Sequence, residues 1–247
     1  MPLLVLRAAS LGVTLTSAQL SQFAVLAHEL LVWNERVNLT AITDTEEIQV
    51  KHFLDSLTPL ALIAEWARGG PAALVDVGAG GGMPGLPLAI ALPSIQVTLV
   101  ESVAKKVAFL QHAIKVLRLS NATTAHGRSE DLARAPTHRE RYDLAIARGV
   151  GSVATLVELL VPFLVVGGRA VLMKTWAAAA EELSHAEGAL LQLEAQLEAV
   201  VPVEVGGPPG GMLGRRALIV VRKDAPTSAR YPRHRGVPRK RPLVYGA

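Results

Sequence analysis

The sequence contains no cysteine. Disulfides and thiolate metal sites are therefore excluded, and the chain suits a reducing compartment, so a cytoplasmic location is expected. Aromatic residues are scarce too, with Trp 3, Tyr 3 and Phe 4 in 247 residues. Since 50% of the chain is nonetheless hydrophobic, the core must be aliphatic, and there is enough of it for one or two globular domains. No stretch approaches the roughly 18 consecutive apolar residues that read as a membrane helix. Near the N-terminus one charge, Arg7, sits in a short apolar run with no long hydrophobic region after it. A secretory signal is not expected.

Acidic residues are nearly missing from one end. Residues 223–247 hold seven Lys or Arg and one acid, Asp224, for a charge of +6. The formal total is +4, so residues 1–222 carry −2. A basic tail of this kind suits a polyanionic partner. It suits equally well a solubilising tail, or one wrapped on the body.

The stretch Leu74-Val75-Asp76-Val77-Gly78-Ala79-Gly80-Gly81-Gly82-Met83-Pro84-Gly85 is the centre of the chain. Leu74 to Val77 read as a buried strand, the glycines as a turn, and Pro84 as the start of a helix whose residues Leu86 to Leu92 are apolar. Such a strand–turn–helix junction suits a nucleotide-like ligand. Gly80, Gly82 and Gly85 satisfy G-x-G-x-x-G, which alone is weak. Asp76, Gly78, Gly80 and Gly82 satisfy the acid-x-G-x-G-x-G pattern of S-adenosylmethionine enzymes. A second strand, Ile95 to Val100, then ends in Glu101, about 20 residues past the glycines, where an acid grips the ribose hydroxyls of an adenosine.

Ahead of this centre, Thr16 with Gln19 reads as a capping box opening an amphipathic helix over 17–36. Thr43 with Glu46 starts a second helix, on which His52 and Asp55 share a face; spacing alone makes them a local packing pair. After the centre, strands over 74–77, 95–100, 122–125, 142–147 and 169–174 alternate with helices over 84–92, 103–118, 129–134 and 152–162. That alternation predicts a parallel, doubly wound α/β sheet. A long Ala/Glu/Leu helix is expected over 178–199. Val200 to Val205 and Ala217 to Val221 then read as an antiparallel hairpin joined by the glycine-rich 206–214. A sheet closed by an antiparallel strand is the arrangement of S-adenosylmethionine methyltransferases. A nicotinamide-dependent dehydrogenase would also need a substrate domain, for which no chain is left. The expected organisation is a helical cap over 1–68, a cofactor-binding domain over 69–222 and a basic Pro/Arg-rich tail over 223–247.

Several further motifs occur in order. They are Trp33-Asn34-Glu35-Arg36-Val37-Asn38-Leu39-Thr40, Lys51-His52-Phe53-Leu54-Asp55-Ser56, Glu101-Ser102 with Lys105-Lys106, Gly127-Arg128-Ser129-Glu130, Ala147-Arg148-Gly149-Val150 and Tyr231-Pro232-Arg233. Together with the glycine stretch they resemble the bacterial small-subunit rRNA guanine-N7 methyltransferases, the glucose-inhibited division protein B family. The sequence departs from that pattern at Gly149 and Gly151, where alanines are usual, at Thr175, where glycine is usual, and at Met83, where Phe or Leu is usual.

The resemblance implies a Rossmann-like class I methyltransferase fold with a mostly parallel seven-stranded sheet, an antiparallel last strand and an N-terminal helical extension. It implies S-adenosylmethionine as methyl donor, S-adenosylhomocysteine as product, and 16S rRNA in the small subunit or its assembly intermediate as partner. A monomer, no metal and no membrane are expected. Gly78 and Gly80 should approach the methionine part and Met83 should pack near the ligand. Glu101 should hold the ribose, Ser129 and Glu130 should border the adenine, and Arg148 should lie over the site. Lys105, Lys106, Arg128, Lys174 and Arg216 are the candidate RNA contacts. No catalytic residue is assigned, because guanine N7 is an acceptor without a proton and needs no base to unmask it. Two other functions fit the same cofactor motif: methylation of a small molecule or protein, and a non-catalytic S-adenosylmethionine-binding regulator.

Overall fold

Alternate side chains of β1, Ala73–Val77, go to opposite faces of a pleated strand. Leu74 joins one hydrophobic cluster and Val75 and Val77 join the other, so the sheet is buried on both sides. The computed structural model describes residues 1–70, 72–204 and 214–244. Its sheet has seven strands, the others being β2 (Gln96–Glu101), β3 (Ala122–His126), β4 (Tyr142–Arg148), β5 (Leu164–Thr175), β6 (Ala195–Glu204) and β7 (Arg215–Lys223). Their order is β3-β2-β1-β4-β5-β7-β6. The first five strands pair in parallel, and β7 runs antiparallel to both β5 and β6. This is the expected sheet, with most strand ends shifted by a residue or two and β5 and β6 each starting five residues earlier.

One face is covered by the N-terminal helices and by helices Gly85–Ala91 and Ala104–Val116, with Phe23 and Phe53 packed ring to ring at 5.1 Å. The other is covered by helices Val153–Leu160 and Glu187–Gln192 and by the C-terminal segment, which contributes Tyr231 and Leu243. No described helix is long and apolar enough to cross a membrane.

The expected capping box is present: Gln19 N–H donates to Thr16 Oγ1 while the Thr16 N–H donates to the Gln19 side chain, opening helix Ser17–Val37. The second helix starts one residue later than expected, capped by Asp44, whose carboxylate accepts from Glu46 and Glu47 N–H. Its middle, Ile48–Leu54, widens to π-helical turns, a form that often marks functional positions.

The long helix expected over 178–199 does not form. Helices Trp176–Glu182 and Glu187–Gln192 are separated by a 3₁₀ turn, and from Ala195 the chain is already in β6. Alanine and leucine are good helix formers, but intrinsic propensity amounts to only tenths of a kcal/mol per residue and yields to tertiary pairing. The open edge of β7 offers this segment a backbone ladder from Ala195↔Lys223 to Glu204↔Arg215, and that pairing prevails. The antiparallel hairpin is as expected, while Val205 and the glycine-rich 206–213 lie outside the described residues.

The segment after β7 lies on the body. Lys223 is fully buried, its Nζ 2.6 Å from Glu140 and 2.8 Å from the Leu164 carbonyl. Arg233 pairs with Glu158, which has no solvent exposure, and Arg235 pairs with Asp131. Arg139 donates to the carbonyls of Thr227, Ser228 and Tyr231, and Arg134 to those of Ala229, Arg230 and Pro232.

Candidate cofactor and substrate site

The site lies at the carboxyl ends of β1, β2 and β4, where open α/β sheets bind ligands. After β1 the chain turns back sharply: Gly78 and Ala79 N–H both donate to the Val100 carbonyl, at 2.9 and 3.0 Å. Gly80 then sits at φ 57°, a conformation costly for residues with a Cβ. An added Cβ there would meet only the Gly78 carbonyl, at 3.8 Å. Its N–H donates to Glu101 Oε2 at 3.0 Å, and the other oxygen of Glu101 accepts from Ser102 and Val103 N–H. The ends of β1 and β2 are thus tied together through one carboxylate.

Gly85 makes room of a different kind. A Cβ there would fall 2.3 Å from Leu99 Cδ2 and 2.7 Å from Asp76 Oδ2. Asp76 is buried and accepts from Gly85 N–H at 2.8 Å, while its Oδ1 has no partner among the described residues. Burial pushes its carboxyl up to about 7; the Gly85 bond and the Arg148 charge oppose the shift without cancelling it.

Three cavities meet around this loop. The first, about 140 Å³, is bordered by Gly78, Glu101, Ser129 and Glu130. The second, about 290 Å³, is bordered by Gly78, Gly80, Met83, Lys106 and Arg148 and by Leu30 and Thr40 of the N-terminal segment. The third, about 420 Å³, is bordered by Asp55, Arg148, Lys174, Thr175 and Arg216. Gly78 is common to the first and second, and His52, Arg148 and Gly149 to the second and third.

The structure brings together most residues singled out from sequence. Of the candidate cations, Lys106 and Arg128 border the two smaller cavities, and Lys105 is exposed on helix Ala104–Val116. Lys174 and Arg216 are already paired, Lys174 with Glu182 at 2.8 Å and with the Gly151 carbonyl at 2.6 Å. Asp55 is 4% exposed and bridges two arginines, accepting from Arg148 at 2.8 Å and from Arg216 at 2.9 Å. Spacing had paired Asp55 with His52; its actual partners come from β4 and β7.

His52 belongs to a second chain of bonds. The Arg148 guanidinium, which can only donate, faces His52 Nδ1 at 3.4 Å, so Nε2 carries the ring proton and donates to Thr40 Oγ1 at 2.7 Å. Thr40 Oγ1 also accepts from Ile42 N–H at 2.9 Å, leaving its own proton available to a ligand. Burial, aided by the Arg148 charge, lowers the His52 pKa to about 4, so the ring is neutral at pH 7. Asn34 fixes Thr40 in place, its Oδ1 accepting from Leu39 and Thr40 N–H just after Asn38 turns left-handed at φ 51°. That accounts for the spacing of Asn34, Asn38 and Thr40.

Two departures in the sequence have local reasons. Thr175 caps helix Trp176–Glu182 by accepting from Ala178 N–H. Gly149 has φ 73°, which favours glycine over alanine. Sequence reasoning missed Gly236, Pro238 and Arg239, which border the first cavity; their charge and proline content signalled only a tail.

With this geometry in view, residues 19–206 match the family model described as GidB, rRNA small subunit methyltransferase G. The chain belongs to that family. The ribosomal RNA small subunit methyltransferase G of Roseiflexus castenholzii is 47% identical over 237 residues, covering 96% of this chain and 97% of its own. That of Halalkalibacterium halodurans is 42% identical over 236 residues, covering 94% of each. Membership of the rRNA small subunit methyltransferase G family makes this an S-adenosylmethionine-dependent rRNA methyltransferase. Among solved structures, a Klebsiella pneumoniae protein described as an O-methyltransferase shares the fold, with a TM-score of 0.53 and 12% identity over 81% of this chain and 90% of its own.

Proposed function

We propose that the protein transfers the methyl group of S-adenosylmethionine to N7 of a guanine in 16S rRNA. In this reading it acts as a monomer on the small subunit or its assembly intermediate, uses no metal, and releases S-adenosylhomocysteine. The observation that carries the proposal is the meeting of the three cavities at Gly78 and Arg148. A donor with an adenosine end, a methionine end and a reacting centre needs two adjoining compartments that open into a third for the acceptor.

The loop fits such a donor. The space beside Gly80 that a Cβ would fill leaves the backbone open to close approach. Glu101 holds the ribose, Ser129 and Glu130 border the adenine, and Gly78, Gly80 and Met83 enclose the methionine part. The bound cofactor supplies an electrophilic methyl on a sulfonium.

The chain's own task is to align the acceptor and keep water away. Two features lower the cost of seating a cation beside Arg148. Asp55 offsets part of the charge that Arg148 and Arg216 bring, and His52 stays uncharged at pH 7. The third cavity is rich in donors, including Lys174 and Arg216, which suits the O6 acceptor of guanine. A stacked guanine cannot reach it, so the base enters unstacked or swung out. Lys105, Lys106 and Arg128 lie where they can meet phosphate.

Incubating the protein with methyl-labelled S-adenosylmethionine and either small subunits or naked 16S rRNA tests the proposal. Label is expected on N7 of one guanine in at least one substrate. Label on another atom, or on neither substrate, would overturn it.

A further inference from the structure

We infer that the C-terminal segment after β7 is a wall of the cofactor site, closing the adenosine compartment. The inference rests on the proposed use of that compartment. It assigns a ligand-binding role to a segment lying beyond the residues that match the family model.

Gly236, Pro238 and Arg239 border the first cavity together with Glu101, Ser129 and Glu130. Two hydrogen bonds hold this stretch at the cavity's edge. Gly236 N–H donates to Glu130 Oε1 at 2.8 Å, and the Pro238 carbonyl accepts from Thr155 Oγ1 at 3.2 Å. Glu130 and Thr155 themselves border the cavity. The carboxylate expected to border the adenine is thus oriented by the tail. Gly236 sits at φ 74°, turning the chain so that Pro238 follows as a buried neighbour.

The segment is also anchored ahead of that turn. Lys223 is fixed by Glu140, Arg233 by the buried Glu158, and Tyr231 in the core beneath. Arg233 makes four contacts with that one carboxylate, from its backbone N–H and its guanidinium. A segment held only as a solubilising tail would leave its cations in water. Here Arg233 and Arg235 are matched to acids on the body, and the turn that follows them reaches the ligand compartment.

The wall touches only the adenosine end. It should therefore affect the whole donor product and its adenosine half alike. The test measures binding of S-adenosylhomocysteine and of 5′-deoxy-5′-methylthioadenosine by calorimetry. It compares the parent with the full-length variant Pro238→Gly/Arg239→Gly, with circular dichroism to confirm the fold. A loss of about tenfold for both ligands is expected, since a wall of this kind acts through excluded water and packing. Binding of both within twofold of the parent would overturn the inference. If the double variant does not fold, Arg239→Ala, at an exposed position, decides: a loss of about threefold supports the wall, and no loss overturns it. A parent that binds neither ligand would instead sink the reading of the compartment itself.

Discussion

Asp55 accepts a hydrogen bond from Arg216 at 2.9 Å across 161 residues of chain. The same carboxylate holds Arg148 at 2.8 Å, so one buried acid joins the helical N-terminal region, β4 and β7 at the largest of these three cavities. Replacing Asp55 by Asn leaves two partly buried guanidiniums without a counter-charge. Breaking such a buried pair typically costs about 3 kcal/mol. Urea unfolding of Asp55→Asn should show that loss, and methyl transfer should fall at least tenfold under conditions where the variant remains folded.

Two glycines of the same loop should fail in different ways. Gly80→Ala puts a Cβ into open space beside the second cavity at φ 57°, at a backbone cost of about 1 kcal/mol. Its main effect should be on S-adenosylhomocysteine binding, weakened about tenfold. Gly85→Ala drives a Cβ into Leu99 and Asp76, and overpacking of this kind costs about 2 kcal/mol. Thermal melting should separate them, with Gly85→Ala the less stable.

Asp76 and His52 give opposite slopes of stability against pH. Folded Asp76 keeps its proton to about pH 7, while its ordinary value is 3.8. The native state binds the extra proton, so this contribution is fully present below pH 3.8 and is lost as pH rises through about 7. The loss is on the order of 4 kcal/mol. Folded His52 stays neutral down to about pH 4, against an ordinary 6.5. Its contribution is complete above pH 6.5 and is lost as pH falls toward 4. The parent profile between pH 4 and 7 should therefore be flatter than either variant's. Asp76→Asn should lose stability toward acid, and His52→Gln should gain it; denaturant midpoints at half-unit pH steps read both.

Salt should distinguish the cations that meet RNA from those that build the site. Lys105 and Arg128 are exposed and make no ion pair among the described residues. Each, changed to Ala, should lower the slope of log affinity for rRNA against log salt by roughly 0.7 to 0.9; S-adenosylhomocysteine binding should be unchanged for Lys105→Ala but weakened for Arg128→Ala, since Arg128 also borders the first cavity. Lys174→Ala should instead lower thermal stability, because it leaves Glu182 with the Val153 N–H but without its counter-charge.

Local chemistry made the centre of this fold legible. The glycine loop, Glu101 and the strand–helix alternation follow from backbone freedom and hydrophobic period, which act within about 30 residues. Thr16 and Gln19 announced their helix in the same way. What escaped was set by distance or by competition. Asp55 and Arg216 carry no mutual signal in one sequence, and the helical preference of 178–199 yielded to an open strand edge. The tail's charge was visible but not the acids on the body that match it; Glu158, on an apolar helix, reads as an incidental polar residue until Arg233 is laid beside it.

The bond from Gly236 to Glu130 spans 106 residues. Synthesis runs from N- to C-terminus, so everything up to β7 emerges before that bond can exist. A nascent protein still short of Arg239 has an open cleft where the finished one has a wall. On the wall reading, the growing chain holds its methyl donor at full strength only after this late segment has emerged and docked.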